Sequence, residues 1–127
     1  MADKQKYSLE YEIKSSVKIL YNFISEPNCL AQWFADDVRI KGHIYTFAWN
    51  DGEQQDAKLL STKENKLVRF KWVDEEAHTF FEFEVVKDEL TNDVALIITD
   101  FAAKENIKEK TSIWNIQIEN LQAVLGA

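Results

Sequence analysis

The chain has 127 residues, 46% of them hydrophobic and 29% charged, with eight Phe, four Trp and four Tyr. That length suits one domain, 1–127, with a real core, and the aromatic content excludes disordered, collagen-like and low-complexity classes. Asp and Glu outnumber Lys and Arg 22 to 15, leaving a net charge of −7; without a basic stripe to neutralise phosphates, nucleic acid is not an expected partner.

Lys6 to Lys14 alternates, with Tyr7, Leu9, Tyr11 and Ile13 on one side and Ser8, Glu10 and Glu12 on the other, which predicts a strand with one wet face. Ser15 or Ser16 is placed to cap a helix carrying Val17, Leu20, Tyr21 and Ile24 at helical spacing. Ser25-Glu26-Pro27 ends it, and Pro27 suits the first turn of a second helix holding Cys29, Leu30, Trp33 and Phe34. Short strands then follow: Val38 to Lys41, His43 to Trp49, Gln55 to Thr62, Leu67 to Val73, Thr79 to Val86 and Val94 to Phe101. Asn50-Asp51-Gly52 and Lys63-Glu64-Asn65 are turn signals between them. In the tail, Trp114, Ile118, Leu121 and Leu125 recur at offsets of four, seven and eleven, one face of a helix from about Ile107 to Leu125. Ile107, Ile113, Ile116 and Val124 are expected to widen that stripe. Such a helix is roughly 28 Å long, enough to lie across strands of about 26 Å. Strands and helices in separate blocks predict an α+β fold, an antiparallel sheet of about six or seven strands covered by the final helix.

Two stretches are diagnostic together. Ile19-Leu-Tyr-Asn-Phe-Ile-Ser-Glu-Pro-Asn-Cys-Leu-Ala-Gln-Trp-Phe34 pairs an apolar helix with a Pro-started helix ending in Trp-Phe. Ser112-Ile-Trp-Asn-Ile-Gln-Ile-Glu-Asn-Leu-Gln-Ala-Val-Leu125 sets an early Trp ahead of later Leu residues in the last helix. In this order the two resemble the START-like (SRPBCC) superfamily, in its activator-of-Hsp90-ATPase branch. The resemblance implies a helix-grip fold: a curved antiparallel sheet wrapped around a long C-terminal helix, with two short helices between the first and second strands. It also implies a space between sheet and helix that holds lipids, sterols, polyketides or other apolar molecules. The sequence departs from the pattern at the entry to the third strand, where only Gly42 precedes His43.

Catalytic and metal-binding signatures are sparse. His43 and His78 stand far apart with no His-Glu-x-x-His or Cys-x-x-Cys partner, so no metal site is expected. Cys29 is the single cysteine; with no partner base it reads as a small buried hydrophobe. Three scattered Gly make no phosphate cradle, and no Gly-x-Ser-x-Gly elbow occurs. No cofactor is implied. The start lacks an apolar run, and Val94 to Ile98 falls far short of the ~20 residues that span a bilayer, so the expected setting is the cytoplasm, without membrane insertion.

The aromatic residues carry the functional reading. Trp33, Phe34, Phe47, Trp49, Trp72, Phe81, Phe83, Phe101, Trp114 and Ile118 are expected around one apolar space, with Trp33 near its mouth. Tyr45, Thr99 and Asp100 are its polar candidates; alternation sends either Thr99 or Asp100 inward. Rings of this size either fill the space or line an open cavity. Three functions follow: a binding protein for a small hydrophobic molecule, a protein-interaction module with a chaperone or a second copy as partner, and a cyclase- or aromatase-like enzyme. The first is preferred, without catalysis.

Overall fold

Alternation at the N-terminus builds β1 (Lys4–Glu12), where Tyr7, Leu9 and Tyr11 are half-buried and Ser8, Glu10 and Glu12 face water. The computed structural model describes residues 3–126. Ser16 caps α1 (Val17–Ser25), its Oγ accepting from the Ile19 N–H at 3.1 Å and so occupying a first-turn donor that the helix leaves free. Pro27 opens α2 (Pro27–Leu30), where its missing N–H costs nothing. This helix is a single turn, and Trp33 and Phe34 fall in the turn beyond it rather than inside it.

Six strands follow: β2 (Asp37–Lys41), β3 (Ile44–Ala48), β4 (Gln54–Lys63), β5 (Leu67–Trp72), β6 (Phe81–Lys87) and β7 (Val94–Ala103). β2 and β3 are joined by the two-residue turn Gly42-His43, with Gly42 at φ +61°. A tight hairpin of this kind needs a positive φ at its first central residue, so one glycine meets the demand of that entry. The seven strands form one antiparallel sheet in the order β1-β7-β6-β5-β4-β3-β2. The first strand therefore pairs with the last, and β1 and β2 are the two edges.

One sheet face carries Tyr45, Phe47, Ala57, Val68, Phe70, Phe81, Phe83, Val85, Leu96 and Ile98, all buried. Leu20, Ile24 and Leu30 of the two short helices join this core, as do Trp114, Ile118 and Leu121 of α3 (Ile107–Leu125). The bounds of α3 match those expected from periodicity. Its apolar stripe does not: Ile113, Ile116 and Val124 are 46%, 60% and 41% exposed. The helix meets the sheet along one line of side chains, and the flanking aliphatics stay in solvent. Among the described residues, no helix is long and apolar enough to cross a membrane.

Candidate functional site

Along β7 the buried Leu96 and Ile98 are followed on the same face by a carboxylate, Asp100. Tyr7 lies directly opposite it in the β1–β7 register and donates its hydroxyl to Oδ2 at 3.1 Å. From α3, the Trp114 indole Nε1–H donates to the same oxygen at 3.0 Å, and the Phe101 N–H donates to Oδ1 at 2.8 Å. Burial lifts the Asp100 carboxyl above the ordinary carboxylate range, although these three donors and the nearby Lys110 charge pull the other way. The Tyr7 phenol is driven far up, first by burial and then by the charge on Asp100.

Beside this group the aromatics interlock. The Phe34 ring centroid lies 5.0 Å from Phe47, 5.8 Å from Phe83, 5.9 Å from Trp114, 6.0 Å from Phe81, 6.2 Å from Trp49 and 6.5 Å from Trp72. Such spacings are those of rings in mutual contact, so the deep part of the grip is filled rather than hollow. The Phe34 carbonyl is held as firmly: it accepts from Trp49 Nε1 at 3.0 Å and from Gln117 Nε2 at 3.2 Å. Two donors on one carbonyl fix the turn after α2 to both β3 and α3.

What remains open is a cleft of about 300 Å³ between α3 and the ends of β3, β4 and β5. Phe34, Trp49, Trp72, Ile113 and Trp114 form its apolar wall, and Asp51, Glu53, Gln55, Asp100, Lys110 and Gln117 its polar one. A second cleft of about 270 Å³ continues from it, sharing Trp72, Asp100 and Lys110 and adding Lys4, Glu75 and Thr79. An ion pair between Lys4 and Glu75 crosses that second cleft, joining β1 to the turn after β5. Among the described residues no group of three His, Cys, Asp or Glu converges to hold a metal ion. Burial pushes the Cys29 thiol up, helped by the Glu26 charge, which leaves it a poor nucleophile.

The family model of the START-like superfamily domain matches residues 1–127. The chain belongs to the START-like superfamily. A Bacteroides fragilis protein solved in solution is 34% identical, over 98% of this chain and 93% of that one, with a TM-score of 0.69. The Aha1 dimer from Colwellia psychrerythraea shares the fold at 18% identity and a TM-score of 0.77, over 93% of each chain. DynU16, a protein in the dynemicin biosynthetic locus, shares it at 12% identity and a TM-score of 0.79; this START-like domain covers 96% of itself and 47% of that chain. No curated protein matches the sequence.

Within the START-like frame, the residues singled out from sequence separate into four groups. Phe34, Trp49, Trp72, Trp114 and Asp100 line the main cleft. Phe47, Phe81, Phe83 and Ile118 are fully buried behind it, as packing rather than as cleft wall. Tyr45 is also buried; its hydroxyl donates to the Ser25 carbonyl at 3.1 Å and ties β3 to the end of α1. Trp33 does not line this cleft: it is 4% exposed, its Nε1 donates to the Phe23 carbonyl at 2.8 Å, and it borders an adjoining cleft beside Asn120 that shares Phe34, Trp49 and Gln117 with the main one.

Of the two polar candidates on β7 it is Asp100 that faces the cleft, and the placement of Phe101 corrects the expectation of a shared interior. Asp100 points inward, so the pleat turns its neighbours Thr99 and Phe101 to the outer face. Thr99 shares a hydrogen bond with Ser8 across the β1–β7 pair, Oγ1 to Oγ at 3.2 Å. Phe101 packs there on Phe80, 5.0 Å between centroids, and on His78 at 5.6 Å. Conversely Tyr7, Asp51, Glu53, Gln55, Lys110 and Gln117 belong to the site and its supports without having been foreseen. Only the inward side of β1, which carries Tyr7, held a signal; the others are surface polar residues until the fold brings them to one opening.

Proposed function

We propose that this START-like domain binds one small, largely apolar molecule in the cleft between α3 and the sheet, without catalysis. The observation that carries the reading is the convergence of three indoles, from the end of β3, the end of β5 and α3, on one opening that also holds a half-buried, hydrogen-bonded carboxylate. Concave, mostly apolar sites with a few fixed polar groups are the usual form of small-molecule sites. The volume narrows the candidates. Sites for drug-sized molecules span about 300–1,000 Å³, and this cleft lies at the bottom of that range. A molecule of one or two rings fits it better than a sterol or a long acyl chain.

The test is a titration of intrinsic Trp fluorescence with fatty acids, sterols, and one- and two-ring aromatics, alongside native mass spectrometry of protein purified from its own host. Compounds of one or two rings should quench, and Trp72→Ala should weaken what binds. If nothing in the panel alters the fluorescence and no small molecule co-purifies, the binding reading is lost.

A second reading, an interaction module that pairs with a second copy or with a chaperone, is favoured by a different feature. Ile113, Ile116 and Val124 stand exposed along one side of α3, and the Colwellia relative is described as a dimer. Sedimentation of the wild-type chain against Ile116→Glu distinguishes the two: an assembly through α3 would dissociate in the variant.

A further inference from the structure

We infer that the molecule selected by the main cleft carries a positive charge: a small organic cation, either an amine or a quaternary ammonium attached to one ring. The inference rests on the binding reading above and adds to it the charge class of the ligand.

The cleft wall sets three carboxylates, Asp51, Glu53 and Asp100, against one ammonium, Lys110. Elsewhere in the sheet Asp37, Glu82 and Glu84 each have a basic partner. None of the three cleft carboxylates forms an ion pair among the described residues; only Asp100 feels a nearby basic group, the same Lys110, so the cleft wall keeps an excess of negative charge. They also differ in depth. Asp51 and Glu53 are exposed at the rim, spaced by a turn in which the Glu53 N–H donates to Asp51 Oδ1 at 2.9 Å. Asp100 is the inner one, immobilised by Tyr7, Trp114 and its own strand. A carboxylate has about four acceptor sites, and these three donors leave room for one more.

Trp49, Trp72 and Trp114 line the same cleft as these carboxylates. Indole is the aromatic face that attracts a cation most strongly. The Trp72 Nε1–H makes no hydrogen bond among the described residues, while its ring is held by stacking on Phe81 at 4.6 Å and edge contact with Phe47 at 5.7 Å, so the wall it offers is preformed. An anion entering the same opening would meet only Lys110, an exposed side chain on a flexible stem, and would be repelled by the three carboxylates. The net charge of −7 acts in the same sense at longer range.

The experiment uses the full chain labelled with ¹⁵N, whose four Trp give four indole N–H signals. It is titrated in parallel with benzyltrimethylammonium, with neopentylbenzene as its uncharged isostere, and with phenylacetate. The cation should move the signals of Trp49, Trp72 and Trp114 and leave Trp33 still, binding about ten-fold tighter than the isostere at low salt. Asp100→Asn should remove most of that preference. Glu53→Gln, a change at an exposed position that leaves the core untouched, should reduce it in the same direction. Equal or tighter binding of neopentylbenzene or phenylacetate at the same three indoles would overturn the charge class and leave the cleft reading standing. If none of the three compounds moves those signals, both readings fall.

Discussion

Asp100 is held in place at a cost to its ionised form. Burial disfavours the charge more than Tyr7, Trp114 and the Phe101 N–H favour it, so the folded carboxyl titrates above its ordinary value of 3.8. The folded protein then binds a proton that the unfolded chain has already released, and stability falls as pH rises from that value through the raised one. Comparing denaturant midpoints of wild type and Asp100→Asn across this range should show the variant gaining steadily on the wild type; a constant difference would mean that the carboxyl is not desolvated. Phe34 is the other single residue on which much depends. It is 4% exposed and its ring touches the walls of the cleft as well as its floor. Phe34→Ala should cost about 3–5 kcal/mol by denaturant unfolding, and the Trp fluorescence should shift with it.

Among the elements, α3 was the most legible in the sequence and β7 the most misleading. Four apolar residues in register fix a helix and its face, because helical periodicity is local. Ile118→Ala or Leu121→Ala should therefore cost roughly 2–5 kcal/mol, whereas Ile116→Ala, at a position 60% exposed, should move the midpoint by less than about 0.5 kcal/mol. Equal effects at 116 and 118 would mean that α3 does not rest on the sheet through the Trp114 line. The cap is a smaller matter: Ser16→Ala should cost about 1 kcal/mol. In β7, alternation gave two faces but not which one is inner. Asp100, a charged residue, took the inner side because Tyr7 and Trp114 arrive from positions 93 and 14 residues away to receive it. Nothing in the strand itself announces those partners, and so the choice between Thr99 and Asp100 stayed open while Phe101 was set in an interior it does not enter. The exposed side of α3 escaped for a related reason: an isoleucine count does not say how narrow the line of contact is.

At the scale of the whole molecule the four tyrosines act together. Burial raises the phenols of Tyr7, Tyr11, Tyr21 and Tyr45 above their ordinary value of 10.0, so stability should drop as pH rises past about 10. The part of the tyrosinate absorbance that Tyr7→Phe removes should appear together with loss of far-ultraviolet dichroism; a Tyr7 phenolate formed within an intact fold would contradict its burial. The main cleft is likewise a property of the whole chain, since its walls come from the ends of β3, β4 and β5, from β7, from two turns and from the last helix. The pairing of β1 with β7 has a consequence during synthesis. Ser8 and Thr99, hydrogen-bonded neighbours in the sheet, are 91 residues apart. At about 5–20 residues per second, β1 leaves the ribosome on the order of 5–20 seconds before its partner exists. Through that interval its inward side of Tyr7, Leu9, Tyr11 and Ile13 is uncovered, and Tyr7 has no Asp100 to meet. A nascent chain arrested before β7 should be open to protease throughout β1, and one arrested after α3 has cleared the exit tunnel should resist it.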